Sequence, residues 1–361
     1  SKDLSGLDHS AVEHDATDVL RRLLATPTIA SKRWVYNQYD TTVRTNTVVG
    51  PGGDAGVLRI RGTRMGVAAT VDCNGRYVYL NPRRGAQIAV AEAARNIVCV
   101  GARPRAITNN LNFGNPLKPE VYFQLREAVA GIGEACTAFE TPVTGGNVSL
   151  YNENPLGAIY PTPVIGMVGV LTDVEKYVPS AFCATGDSII LLGRNTDELG
   201  GSEYLKLLHE LVAGDAPAVD LNGERALQEA VIAMADARLI RSAHDCAEGG
   251  LGVTIAESAF GDQGPFGVDV ALADNIAAAP LLFGEAQGRI VVSCGTADEE
   301  AVLSIAEKNG VPATVIGKVG AQGGAFRITT HGATINARAA ELAETYNTAI
   351  PRLMDTTPIE G

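Results

Sequence analysis

The feature that most constrains this sequence is an alternation that it runs through twice. Short apolar β-like runs and longer helix-like stretches follow one another to about residue 171. The composition then changes across Ser180–Gly186, and the alternation resumes. A single core seldom grows large enough for 361 residues. The expected fold is therefore mixed α/β (α+β), with two units in series. No short repeat period is present, which argues against a solenoid.

The first helix is predicted over Ser10–Leu24, with Val12, Val19, Leu20 and Leu23 on one face, a capping box from Ser10 and Glu13, and a stop before Pro27. Residues 28–55 are polar and irregular, ending in the turn-rich Gly50-Pro51-Gly52-Gly53-Asp54. Strands are expected at Val57–Ile60, Gly66–Val71, Tyr77–Leu80, 104–108, Pro142–Ser149 and Pro163–Leu171, and helices at Ala86–Val100 and 118–139. Beyond the boundary, strands are expected at Asp187–Leu192, 289–293 and 312–318. Helices are expected at Glu203–Val212, Glu224–Ala237, Gly250–Phe260 and 298–309, with a last one at about Asn336–Tyr346 before a proline-containing tail.

The net charge is −12, which argues against general nucleic-acid binding, since that needs a basic face. It does not argue against a phosphorylated small molecule, because phosphates are often held by backbone N–H groups. Charges or glycines interrupt every apolar run, so no membrane span is expected. The start, Ser1-Lys2-Asp3-Leu4, has neither an apolar signal core nor an initiator Met and reads as part of something longer. Six scattered cysteines form no metal-like spacing and are expected as reduced thiols in a cytoplasmic protein.

Four stretches hold candidate chemistry. Ile107-Thr108-Asn109-Asn110-Leu111-Asn112-Phe113-Gly114 crowds polar side chains behind a β-like run, where ligand groups collect; a polar turn is the alternative. In Thr144-Gly145-Gly146-Asn147-Val148-Ser149, the glycines allow close approach of the backbone. Asn147 offers a carbonyl oxygen suited to Mg²⁺, and Ser149 a hydroxyl suited to phosphate. No Gly-Lys-Ser/Thr follows, so this is not a Walker loop. Glu92 and Asn96 share a helix face. Ser242-Ala243-His244-Asp245-Cys246-Ala247-Glu248-Gly249-Gly250 opens a helix, either as an anion site or as a plain cap.

Taken in order, these stretches resemble the phosphoribosylformylglycinamidine synthase family, specifically the second half of its large subunit. The resemblance runs from about Tyr39 to Arg338 and includes Pro51-Gly52-Gly53-Asp54, Gly200-Gly201-Ser202-Glu203-Tyr204 and Phe283-Gly284-Glu285-Ala286-Gln287. It implies a two-domain unit like that of aminoimidazole ribonucleotide synthetase (PurM-like). The expected division is an N-terminal helix and linker over 1–45, a domain over 46–178 whose sheet pairs with a partner's sheet into a barrel, and an α/β domain over 179–361.

The family's reaction consumes ATP, glutamine-derived ammonia and formylglycinamide ribonucleotide; ATP activates the formamide oxygen and ammonia displaces phosphate. By carry-over, Asn109 and Gly146 contact nucleotide, Asn147 binds Mg²⁺ and Ser149 contacts the substrate. Asn109 stands where the family usually has an Asp. Asp72, Asn96, Glu285 and Gln287 fall in a pseudo-symmetric auxiliary nucleotide site. The expected partners are the missing N-terminal half, a glutaminase subunit or domain, and a second copy through the N-terminal sheet. Asn74 stands where the first half carries a catalytic His and cannot exchange protons at neutral pH. No catalytic residue is therefore expected in this chain, and a non-catalytic nucleotide-binding, dimerising module is the alternative. Aminoimidazole ribonucleotide synthetase itself would show an Asp-Gly-Val-Gly-Thr-Lys motif, which is absent. Selenophosphate synthetase would need a cysteine ahead of Cys73.

Overall fold

The computed structural model describes residues 3, 4 and 6–355; the start at Ser1-Lys2 and residues 356–361 of the tail lie outside them. Two sheets organise the chain. The first has six strands in the order Thr47–Val49, Gly56–Arg59, Gly66–Asp72, Thr162–Leu171, Arg103–Asn112 and Val143–Ser149. Its pairs are antiparallel except the last, which runs parallel because helix Pro119–Phe139 returns the chain across the sheet. The alanine-rich helix Pro82–Cys99 is buried nearly all round, between this sheet, helix Pro119–Phe139 and helix Leu221–Asp236. Small side chains allow that crowding: a Cβ on Gly131 would stand 2.1 Å from the Arg83 carbonyl oxygen.

The other face of this sheet carries exposed Leu58, Val71 and Val168, and Val143–Ser149 is an open edge. Among the described residues, no pairing joins the two edge strands of this sheet.

The second sheet has seven strands in the order Ser242–Asp245, Ile290–Cys294, Ser188–Leu192, Ala313–Gln322, Phe266–Ala271, Ala325–Thr329 and Thr334–Arg338. Ser188–Leu192 and Ile290–Cys294 are buried at every position, since helices cover both faces. Leu221–Asp236 and Glu299–Lys308 pack on one face. Gly250–Ala259, Ala278–Phe283 and the two terminal helices, Ser10–Leu24 and Ala339–Asp355, pack on the other. The N-terminal helix thus joins the core of the second unit, into which it inserts Val12, Val19, Leu20 and Leu23.

Several expectations need correction. Tyr77–Leu80 is helical, within Gly75–Leu80, because the Asn74 side chain caps it and Asn81 caps the next helix at once. The Ser10–Glu13 capping box does not form; the Asp8 carboxylate accepts from Ser10 N–H instead, at 2.8 Å. The last helix runs over Ala339–Asp355 and passes through Pro351. The polar run through Asn109, Asn110 and Asn112 is strand, and so are Gly145 and Gly146. All six cysteines are free thiols. No helix among the described residues is long and apolar enough to cross a membrane.

Candidate functional site

Two polar regions stand out, one on the open sheet and one between the units. On the sheet, parallel pairing sets Asn109 beside Gly146, Asn110 beside Asn147 and Asn112 beside Ser149. The Asn110 amide oxygen accepts from the Asn147 side-chain N–H at 2.9 Å. Thr108 donates its hydroxyl to the Gly145 carbonyl at 3.1 Å. Gly146 faces the Asn109 amide directly, and a Cβ there would fall 2.1 Å from its oxygen. Ser149 and Asn152 are hydrogen-bonded through their side chains at 3.2 Å, and Asn152 also donates to the Phe113 carbonyl. Asn109, Gly146, Asn147 and Ser149 therefore lie on one pair of strands, a platform of amides, hydroxyl and edge backbone with two sides: Asn147 and Ser149 point to one, Asn109 and Gly146 to the other. Such a platform binds and orients polar ligands but supplies no side chain that exchanges protons at neutral pH.

The second region is an acidic cavity of about 340 Å³ in the cleft between the units. Asp54, Asp72, Glu92 and Asn96 come from the first unit, and His244, Asp245, Glu248 and Glu257 from the second. Burial pushes Asp72 and Glu92 well above the usual carboxyl range; repulsion from Glu248 and Asp245 adds to it at Asp72, and repulsion from Asp72, Glu248 and Asp245 adds to it at Glu92. Burial alone would depress the His244 imidazole. The Asp54 carboxylate at 2.6 Å, with Glu257 at 3.2 Å, instead holds it well above its ordinary value. The other Asp54 oxygen, Oδ2, is buried with no partner. An adjoining cavity of about 630 Å³ shares Gly53, Asp54, His244 and Glu257 and adds Lys32, Arg33 and the Gly50-Pro51-Gly52 turn. A third, of about 400 Å³, shares Thr28 and Glu248 with the acidic cavity and holds Asn74, Arg76 and Lys206.

The structure thus brings Asp72 and Asn96 together but separates Glu285 and Gln287 from them. Glu285 is 1% exposed and accepts from Gly249 N–H and Glu203 N–H, each at 2.8 Å, and from the Tyr77 hydroxyl. Gln287 accepts from Arg95 at 2.8 Å and donates to the Glu285 carbonyl. Both tie the units together and neither lines the acidic cavity. Asn74 donates to Glu248 at 3.2 Å. The sequence assigns no role to Asp54 or Glu257, and to Asp245 only a place in a stretch that reads as an anion site or a plain cap. The signal available was the density of acids in Ser242–Glu257 and the glycine turn before Asp54.

Hard oxygen donors around an unpartnered buried carboxylate oxygen suit Mg²⁺. Among the described residues, though, no three acidic, imidazole or thiol groups form a ready-made cage. The set fits a cation shared with phosphate oxygens and water rather than one enclosed by protein.

Residues 52–171 match the family model of the AIR synthase related protein, N-terminal domain, and 184–329 match its C-terminal domain. The chain belongs to the AIR synthase related family. Among curated proteins, this AIR synthase related chain is 52% identical over 354 residues to the phosphoribosylformylglycinamidine synthase subunit PurL of Moorella thermoacetica, covering 98% of this chain and 47% of that protein. The namesake subunit of Chlorobaculum tepidum is 52% identical over 317 residues, covering 85% of this chain and 42% of that protein. The chain spans about half the length of the curated relatives it matches. Among solved structures, Thermotoga maritima PurL complexed with FGAR superposes with a TM-score of 0.72 at 20% identity, over 90% of this chain and 53% of that one, which shows a shared fold.

Proposed function

We propose that this chain is the second half of an ATP-dependent C–N ligase, phosphoribosylformylglycinamidine synthase. In this reading the complete enzyme converts formylglycinamide ribonucleotide, ATP and glutamine-derived ammonia to formylglycinamidine ribonucleotide in purine synthesis. The observation that carries the reading is the paired-strand platform of Asn109, Gly146, Asn147 and Ser149, together with relatives of that name at about half identity. The solved relative complexed with FGAR shares the fold and supports the substrate.

Asn109 and the bare backbone at Gly146 would meet the nucleotide, the Asn147 oxygen would hold Mg²⁺, and the Ser149 hydroxyl would fix the ribonucleotide. Mg²⁺ neutralises phosphate charge when bound. The chain's own residues orient the reacting groups and hold them near one another, which is where most of the acceleration in phosphoryl transfer arises. Proton transfer falls to the missing half, because Asn74 cannot perform it and none of the platform residues can. The exposed apolar face of the first sheet is where that half, or a second copy, would pair.

In the cleft, Asp72 and Asn96 with the surrounding carboxylates would hold a second nucleotide through its Mg²⁺. Domains over 46–178 and 179–361, a glutaminase partner and a cytoplasmic location complete the reading.

The test is ADP release with ATP, Mg²⁺, formylglycinamide ribonucleotide and ammonium, by this chain alone and mixed with the other half. Turnover is expected only in the mixture, reduced about tenfold or more by Asn147→Ala or Ser149→Ala. Substrate-dependent turnover by the chain alone would show that it holds its own proton-transfer group, and His244 would be the first residue to examine.

A further inference from the structure

The acidic cavity is shaped from two units, so something must hold their carboxylates in register. Behind it lies Arg95, 0% exposed, on helix Pro82–Cys99. Its guanidinium meets both oxygens of Asp245, at 2.5 and 3.4 Å, and one oxygen of Glu224 at 2.5 Å. It also reaches Gln287 at 2.8 Å and approaches Glu92 on its own helix at 3.8 Å. Three of these partners belong to the second unit and come from a strand, a helix and a loop. Glu92 and Asp245 face the cavity, while Glu224 and Gln287 do not.

We propose that Arg95 is a positioning residue, which aligns the carboxylates of the two units so that the cavity can take a magnesium–diphosphate group. The proposal rests on the reading of that cavity given above. A guanidinium suits the task because its fixed planar fork satisfies several acceptors at set angles. A lysine keeps the charge but cannot span Asp245, Glu224 and Gln287 together.

Electrostatics alone makes the opposite prediction, which renders the proposal decidable. Arg95 is a positive charge beneath a cavity meant for a cation. If its field were all that mattered, removing the charge would tighten cation binding, and replacing it by lysine would change little. If Arg95 acts by aligning carboxylates, both changes weaken binding, as loss of a group orienting metal ligands commonly does by 10- to 100-fold.

The experiment is calorimetric titration of the whole chain with MgADP, comparing the wild type with Arg95→Lys, Arg95→Gln and Asp72→Asn. Circular dichroism establishes that each variant is folded. The expected result is saturable binding by the wild type, weakened by Asp72→Asn and weakened about tenfold or more by both Arg95 variants. If the wild type binds but Arg95→Lys binds equally well, or Arg95→Gln binds more tightly, Arg95 is not a positioning residue and the cavity reading survives. If the wild type does not bind, or Asp72→Asn leaves binding unchanged, the cavity reading fails and takes this role of Arg95 with it. Should the Arg95 variants not fold, Glu224→Gln decides. It loosens the anchor on the side away from the cavity, so a loss of about twofold or more is expected, and unchanged affinity overturns the proposal.

Discussion

The glycine pair at 145 and 146 has two different physical meanings that sequence alone does not separate. A Cβ on Gly146 would fall 2.1 Å from Asn109 Oδ1 and 2.4 Å from the Asn109 carbonyl oxygen, whereas one on Gly145 would meet nothing within 4 Å. Strand pairing blocks escape at 146, because the backbone oxygen cannot rotate away. Gly146→Ala should therefore destabilise the protein by about 1–3 kcal/mol, as overpacking does. Gly145→Ala should be neutral or slightly stabilising, since glycine inside a strand is itself unfavourable. Urea denaturation of the two variants checks this; equal midpoints would show that Asn109 yields easily. The sequence marked both glycines as places of close approach, and the pairing register decides which one is.

At the scale of elements, regular helices were the most legible part. The span of Ser10–Leu24 follows from its apolar spacing and the proline beyond it, because both causes are local, whereas the kink at Asp15 inside it leaves no such mark. The strand Arg103–Asn112 was not legible past 108. Its polar half is held by hydrogen bonds to strands on either side, which no local pattern reports. Tyr77–Leu80 was misread because apolar alternation over a few residues is the same for a strand and for a short capped helix.

The destination of the first helix was equally hidden. It lies first in the chain yet packs in the core built from residues beyond 180. Leu20 is 0% exposed there, so Leu20→Ala should cost about 2–5 kcal/mol. That loss should appear in the second unit. Hydrogen exchange should speed up in Ser188–Leu192 and leave the first sheet's Thr162–Leu171 as protected as before. Equal acceleration in both would mean that the two units unfold as one.

For the whole molecule, the cleft is both the functional candidate and the place where buried charge links the units. Arg76 pairs with Glu203 across it, and Arg95 with Asp245 and Glu224. Glu285 is the member of this network that titrates in an accessible range. Burial, then repulsion from Glu248, pushes its carboxyl up to about 7 against the favourable pull of Arg76 and the Gly249 N–H. Below about 4.5, the ordinary value, Glu285 is protonated whether the chain is folded or not. Between there and about 7, the folded chain keeps a proton that the unfolded chain has lost, so this group's contribution to stability falls as pH rises. Above that range both states are ionised and the loss is complete, at up to roughly 3 kcal/mol.

Glu285→Gln reproduces the protonated shape: its oxygen still accepts from Glu203 and Gly249, and its amide donates to the Tyr77 hydroxyl. The variant should therefore gain stability relative to the wild type as pH rises from about 4.5 to 7, and the difference should stay level above that. Denaturation midpoints across that range measure it. Parallel curves would mean that the interdomain contacts hold Glu285 ionised throughout. The cleft would then be fixed by charge pairing at every pH, and Arg76 would be the residue to remove next.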